Sequence, residues 1–190
     1  MATFYESDLT FTFPDDWVVR KFDKTVAYQS LSGHGLKGVD FICLEGEAAL
    51  WLVEAKNFRR RDQRYRAVRR RPAALAGQVA TKFADSQRLI NIVYRSLQRR
   101  WSTRFLLWWY HFHLRPRPTK TYWFWAEAER RLREGNLYCV LWLETPETAP
   151  DYVEATRSVL RELLPSATRL LVNTGTSPLP FTATGEKRRP

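Results

Sequence analysis

Residues 38–56, GVDFICLEGEAALWLVEAK, decide the fold of this chain. Two apolar runs, 39–45 and 50–58, flank Gly46-Glu47-Ala48, a pattern typical of two β-strands joined by a tight turn. If 46–48 is a three-residue loop, position 45 pairs with 49, and Asp40 then lies opposite Glu54. Alternate residues of a strand share a face, so Glu54 and Lys56 project together, about 7 Å apart. Both faces of these strands are apolar, and we therefore expect them inside the domain.

Two carboxylates and an ammonium on an apolar sheet are costly, because desolvation and like-charge repulsion both oppose the ionised carboxylates. A divalent cation bound by Asp40 and Glu54 resolves this conflict, since hard cations prefer carboxylate oxygens. The alternative is a buried ion pair between Lys56 and Glu54, with Asp40 at a strand end near water.

This arrangement resembles the PD-(D/E)XK nuclease superfamily: Asp40, then Glu54-Ala55-Lys56 on the next strand, then a long helix. The resemblance implies an α/β fold, a mixed β-sheet flanked by helices with an αβββαβ restriction-endonuclease-like core. It also implies hydrolysis of phosphodiester bonds with Mg²⁺ or Mn²⁺. On this basis Asp40, Glu54 and the main-chain carbonyl of Ala55 are metal ligands, and Lys56 assists the attacking water.

Two positions depart from the superfamily pattern. Val39 precedes Asp40 where many members have proline. The acidic residue that many members carry on their first helix is not evident; Asp23 is our candidate for a further metal ligand, ahead of Glu6. Asp23 is equally suited to capping a short helix at 24–32, and a cap is the more common role for such a residue.

The remaining patterns predict a single domain over 1–190 with its core at about 24–174. Alternation and the turn Pro14-Asp15-Asp16 predict an N-terminal hairpin over 9–22. Strands are predicted at 136–144 and 167–173, and helices at 73–98, 126–134 and 151–164. We expect the basic tail, 176–190, to fray.

The helix predicted at 73–98 carries polar residues at one edge of its apolar face. Gln78, Lys82 and Asp85 follow i, i+4, i+7 spacing, and Lys82 intrudes among the core positions. In the superfamily this helix packs beside the catalytic strand, so Gln78 and Lys82 are candidate catalytic residues that reach the phosphate or the water. The alternative is a surface pair between Lys82 and Asp85.

The charge of the chain favours an anionic partner. It has 31 Lys and Arg against 20 Asp and Glu, a formal net charge of +11, and this balance points first to nucleic acid. Arginines are concentrated directly after the candidate catalytic strand, where they are suited to gripping a phosphate backbone. They are Arg59, Arg60, Arg61, Arg64, Arg66, Arg69, Arg70 and Arg71.

The aromatic segment at 101–125 has two interpretations. Its tryptophans suit a stacking platform for single strands, but such density is more often core or protein interface. His111 and His113 would share a face of a strand, yet without a third ligand they are weak metal candidates. Cys43 and Cys139 lie in apolar runs, as expected of buried free thiols in a reducing compartment.

Together these features predict a cytoplasmic metal-dependent nuclease acting on nucleic acid, with DNA ahead of RNA and no membrane association. A small nuclease without a reader domain is expected to act with a protein partner or as a homo-oligomer, in settings such as antiviral defence or repair. The alternative is a catalytically inactive nucleic-acid-binding or scaffold subunit with the same fold.

Overall fold

The computed structural model describes residues 1–31, 35–58, 71–113, 121–144, 150–166, 168–173 and 179–185. The strands are β1 (Ala2–Glu6), β2 (Leu9–Phe13), β3 (Trp17–Lys21), β4 (Phe41–Glu45), β5 (Ala49–Asn57), β6 (Leu137–Glu144), β7 (Arg169–Asn173) and β8 (Thr182–Gly185). The helices are α1 (Val26–Leu31), α2 (Pro72–Arg99), α3 (Trp101–His113), α4 (Thr121–Arg133) and α5 (Pro150–Leu163).

The central sheet is mixed and has the strand order β3-β4-β5-β6-β7. β3, β4 and β5 pair antiparallel, whereas β5, β6 and β7 run parallel. The carboxyl ends of β5, β6 and β7 therefore share one edge with the end of β3 and the start of β4. Ligands commonly bind at this edge in α/β proteins. The expectation of an α/β fold with a mixed sheet and packed helices is confirmed.

The register of the β4–β5 hairpin agrees with the sequence prediction. Glu45 pairs with Ala49 and Phe41 pairs with Val53, and the turn is closed by a bond from the Ala48 amide to the Glu45 carbonyl at 2.8 Å. The next pair outward places Asp40 opposite Glu54. A one-residue slip would place the two carboxylates on opposite faces of the sheet.

The two faces of the central sheet have different covers. One face packs against the helices; this core includes Ile42, Leu52, Leu141, Val79, Phe83, Phe124 and Leu160. The opposite face packs against a small sheet of order β1-β2-β8; this core includes Phe41, Trp51, Val53, Trp142, Phe11, Phe13 and Phe181. Because α2 lies over the face that carries Glu54, its polar residues reach that carboxylate.

The predicted hairpin over 9–22 is wrong. β2 pairs with β1 and β8, whereas β3 pairs with β4 in the central sheet. The turn that does form lies one strand earlier, where Ser7 and Asp8 have φ values of 53° and 60°, left-handed conformations typical of two-residue hairpin turns. The fraying expected of the tail is also wrong for residues 182–185, since β8 is a paired strand.

The helical assignments change in three places. Residues 101–113 form α3, and α4 begins at Thr121 rather than at 126. The short first helix begins at Val26, and its cap is Thr25, whose hydroxyl accepts a bond from the Tyr28 amide at 3.2 Å. Asp23 is exposed, so its predicted role as the cap is not observed.

A buried arginine ties α4 to the β4–β5 hairpin. The side chain of Arg131, of which 2% is exposed, donates to the Ala49 carbonyl at 2.7 Å and to the Gly46 carbonyl. It also reaches the Glu45 carbonyl at 3.4 Å. One planar guanidinium thus satisfies main-chain acceptors around the turn that sets the register of the hairpin.

Candidate active site

Asp40 is held against β5 by a bond that its side chain makes to the main chain. Its Oδ2 accepts a hydrogen bond from the Ala55 amide at 2.7 Å, at the position where the ladder between β4 and β5 ends. The Asp40 carbonyl accepts a second bond, at 2.9 Å, from the Phe22 amide at the end of β3. Asp40 is therefore fixed by main-chain groups on both sides, its carboxylate by Ala55 and its carbonyl by Phe22.

Glu54 lies beside Asp40, and its fully buried carboxylate contacts two ammonium groups. Nζ of Lys56 is 2.5 Å from Oε1 of Glu54. Nζ of Lys82, on α2, is 2.8 Å from Oε1 and 2.9 Å from Oε2. The same Nζ is 3.8 Å from Oδ1 of Asp40. Two carboxylates and two ammoniums thus form one compact cluster with no net formal charge.

The cluster shifts the pKa values of Asp40 and Lys82. Burial, followed by the charge of Glu54, raises the pKa of Asp40 to about 6. Burial lowers the pKa of Lys82, but the negative charges of Glu54 and Asp40 outweigh it and the net direction is upward. Bringing the two carboxylates together is therefore unfavourable for Asp40 in its ionised form, and a nearby cation offsets that cost.

Two further residues of α2 hold the segment that leads into Asp40. Oδ2 of Asp85 accepts from the Lys37 amide at 3.1 Å, and Oγ of Ser86 accepts from the Val39 amide at 3.0 Å. The sequence patterns do not predict either role: Ser86 is not singled out by them, and Asp85 is considered only at the polar edge of the helix and as a surface partner of Lys82. The available signal was a buried serine in an apolar helix face, since buried polar groups are normally hydrogen-bonded.

Gly38 allows the segment that leads into Asp40 to pack closely against the rings of Phe22 and Tyr28. A Cβ atom on Gly38 would lie 2.5 Å from Cδ1 of Phe22 and 2.9 Å from Cε2 of Tyr28. Any larger residue would push the segment away from those rings. The glycine is thus required by the packing of the chain two residues before Asp40.

A divalent cation fits the two carboxylates. The ammonium of Lys82 lies 2.8 Å from Glu54 and 3.8 Å from Asp40, so a positive charge is favourable beside both carboxylates. Mg²⁺ binds through one or two carboxylates together with water and substrate phosphate oxygens, and a third protein side chain is not needed. Among the described residues there is no group of three or more His, Cys, Asp and Glu suited to a metal. Within that part of the chain Asp40 and Glu54 are the side-chain ligands that such an ion would use.

Comparisons with protein-family models, curated proteins and solved structures found no match to this chain. The interpretation of the site consequently depends on its own residues and geometry.

The other predicted site residues are distributed unevenly. Gln78 is half-buried one helical turn before Lys82 on α2, and Asp23 is exposed after β3. Arg71, at the start of α2, is exposed. The rest of the predicted arginine surface lies outside the described residues: Arg59, Arg60, Arg61, Arg64, Arg66, Arg69 and Arg70.

The aromatic segment is not a uniform core. Trp125 is buried, but Trp101, Trp108 and Trp109 are 81%, 52% and 45% exposed. For these three, a stacking platform and a protein interface remain open and a core role is excluded. Positions 111 and 113 belong to a helix, so the strand-like face predicted for the two histidines is wrong. None of the described helices is long and apolar enough to cross a membrane.

Proposed function

We propose that this protein is a metal-dependent nuclease of the PD-(D/E)XK type, with a restriction-endonuclease-like core formed by α1, β3–β6 and α2. One observation carries the proposal. The ammonium of Lys82 contacts both Asp40 and Glu54, and the ammonium of Lys56 also contacts Glu54. Paired carboxylates on adjacent strands, with a lysine two residues after the second carboxylate, are suited to promoting the attack of water on a phosphodiester.

In this reaction Asp40 and Glu54 would hold Mg²⁺ or Mn²⁺, which supplies an acidic bound water and shields the scissile phosphate. The Ala55 peptide lies beside Asp40 because its amide donates to that carboxylate, which supports the expectation that its carbonyl contributes too. Lys56 projects from the same face of β5 as Glu54 and is 26% exposed. Its ammonium can therefore orient the attacking water and stabilise the negative charge that develops on the phosphate.

DNA is the expected substrate, with RNA as the alternative, and the charge of the chain supports either. The arginine-rich segment begins two residues after β5 ends, close in sequence to Lys56. Arginine recognises phosphate through paired hydrogen bonds without reading bases. We therefore expect binding that depends strongly on salt and weakly on sequence.

The decisive test is incubation of the purified chain with supercoiled, linear and single-stranded DNA and with RNA, in Mg²⁺, Mn²⁺ or EDTA. The wild type should cleave at least one substrate only with metal. Asp40→Asn and Glu54→Gln should abolish cleavage, whereas Glu154→Gln, on the exposed face of α5, should retain it. Metal-independent cleavage, or equal cleavage by the Glu54→Gln variant, would contradict the proposal.

The second candidate function is a nucleic-acid-binding subunit without catalysis. The observation that favours it is the electroneutral cluster: the two ammoniums of Lys56 and Lys82 already balance the two carboxylates, so no metal is needed to compensate their charge. A gel shift in EDTA with no cleavage of any substrate in Mg²⁺ or Mn²⁺ would support this function over the first.

A further inference from the structure

A cleft of about 430 Å³ opens beside the end of β3, next to the candidate active site. Its lining includes Phe4 and the buried Trp125 at its floor, and three cationic residues: Arg20, Lys21 and Lys24. The described lining contains no acidic residue. The volume falls within the range of about 300–1,000 Å³ that is usual for ligand sites.

The sheet places this cleft close to the two carboxylates. Lys21 pairs with Phe41, and the Phe22 amide donates to the Asp40 carbonyl. β3 is thus one strand away from Asp40 and two strands away from Glu54. At about 4.8 Å per strand, β3, which lines the cleft, lies roughly 10 Å from β5, the strand that carries Glu54.

The cations of the cleft are not equivalent. Lys21 is held by Glu6 at 2.5 Å and by the Tyr5 carbonyl at 2.9 Å, so its charge is already compensated. The guanidinium carbon of Arg20 lies 4.3 Å from the centre of the Phe124 ring, which fixes the orientation of this side chain. Burial lowers the pKa of Arg20, so an anion in the cleft would be favourable for its charged form. Lys24 is exposed at the rim.

We propose that this cleft binds one nucleotide of the strand that is cleaved at Asp40 and Glu54. The phosphate contacts Arg20 and Lys24, and the base packs against Phe4 and the apolar floor. The inference depends on the proposed function for the identity of the strand. An oriented guanidinium and an exposed ammonium around an apolar cleft match the mixed polarity of a nucleotide.

Binding of a short labelled single-stranded oligodeoxynucleotide in EDTA tests this site without requiring turnover. Arg20→Gln combined with Lys24→Gln should raise Kd at least tenfold. It should also lower the slope of log K against log salt by about 0.7, the value expected when one phosphate contact is lost from a single strand. The control is Arg95→Gln combined with Arg133→Gln, which removes the same charge from exposed positions on α2 and α4 and should change Kd by less than about threefold.

Because Arg20 is half-buried, Lys24→Glu serves as a second variant that leaves the packing on Phe124 intact. It too should weaken binding, and its thermal melt should match the wild type. If both cleft variants bind the oligodeoxynucleotide with the Kd of the control variant, the proposed cleft is overturned. If the wild type nevertheless cleaves with Mg²⁺, the nuclease function stands. Loss of binding in the cleft variants without cleavage by the wild type supports the cleft and contradicts catalysis. A wild type that neither binds nor cleaves overturns both.

Discussion

The Lys82→Met variant should be less stable than the wild type without metal, and this difference in stability should narrow when metal is added. Methionine keeps the stem of the side chain and removes the ammonium that contacts both oxygens of Glu54 and reaches Asp40. Breaking a buried ion pair by removing one partner costs about 3–5 kcal/mol. Lys56 still contacts Glu54 at 2.5 Å, so we expect the lower end of that range, about 3 kcal/mol.

The assay is a thermal melt in EDTA and then in increasing Mg²⁺ or Mn²⁺. For a chain of this size each kcal/mol lowers Tm by about 2–4 °C, so the variant should melt roughly 6–12 °C below the wild type without metal. With metal the difference should narrow, because the substitution also removes a cation that competes for the same carboxylates. Removing the competing ammonium should favour metal binding by about 1.4–3 kcal/mol. The Lys82→Met variant should therefore bind metal tenfold to hundredfold more tightly than the wild type.

The matched control is Arg95→Met, which removes one positive charge from an exposed position on the same helix. It should melt close to the wild type and bind metal equally. Two results would show that Lys82 is not the cation that occupies the carboxylate site. One is a Tm of Lys82→Met in EDTA equal to that of Arg95→Met, and the other is an equal shift of the Tm of these two variants by metal.

Three further outcomes are expected. Lys56→Met should reduce cleavage about 10²-fold or more while nucleic-acid binding in EDTA stays the same, since the ammonium acts on charge that develops in the transition state; a gel shift beside a cleavage assay measures both. The pKa of Asp40 is about 6 in the folded protein against an ordinary value of 3.8, so folding favours the protonated carboxyl. The stability that this protonated carboxyl contributes is complete below pH 4 and is lost as the pH rises through 6. Denaturant melts in EDTA should then show the wild type losing about 3 kcal/mol relative to Asp40→Asn between pH 4 and 7, and parallel pH profiles would refute this. Gly38→Ala should destabilise the fold by about 1–3 kcal/mol, because its Cβ meets the Phe22 ring; unchanged stability and cleavage would show that the segment shifts without cost.

The part of the site that the sequence predicted depends on local patterns. Strand alternation and a three-residue turn are enough to place Asp40 opposite Glu54, and helical spacing is enough to bring Lys82 to the edge of an apolar face. The partner of Lys82 was not predictable in the same way. Two candidates existed, Asp85 nearby and Glu54 on a distant strand, and the choice depends on how α2 docks on the sheet.

The errors occurred where distant segments compete for the same strand. The turn at 14–16 suggested that the strands on either side pair with each other. In the structure β2 instead pairs with β8, more than 160 residues later, and no local signal reports such a partner. The aromatic residues at 101–125 were similarly ambiguous, because large apolar side chains are compatible with both strands and helices when their period is unclear.

The guanidinium of Arg131 makes the β4–β5 hairpin dependent on a helix encoded more than 80 residues later. Its bonds to the Ala49 and Gly46 carbonyls span sequence separations of 82 and 85 residues. During synthesis the β4–β5 turn must therefore wait for α4 before these acceptors are satisfied by protein. A chain cut between the hairpin and α4 should yield two pieces that regain the site only when they are combined. Such a division would make the activity conditional on the association of two separately expressed fragments.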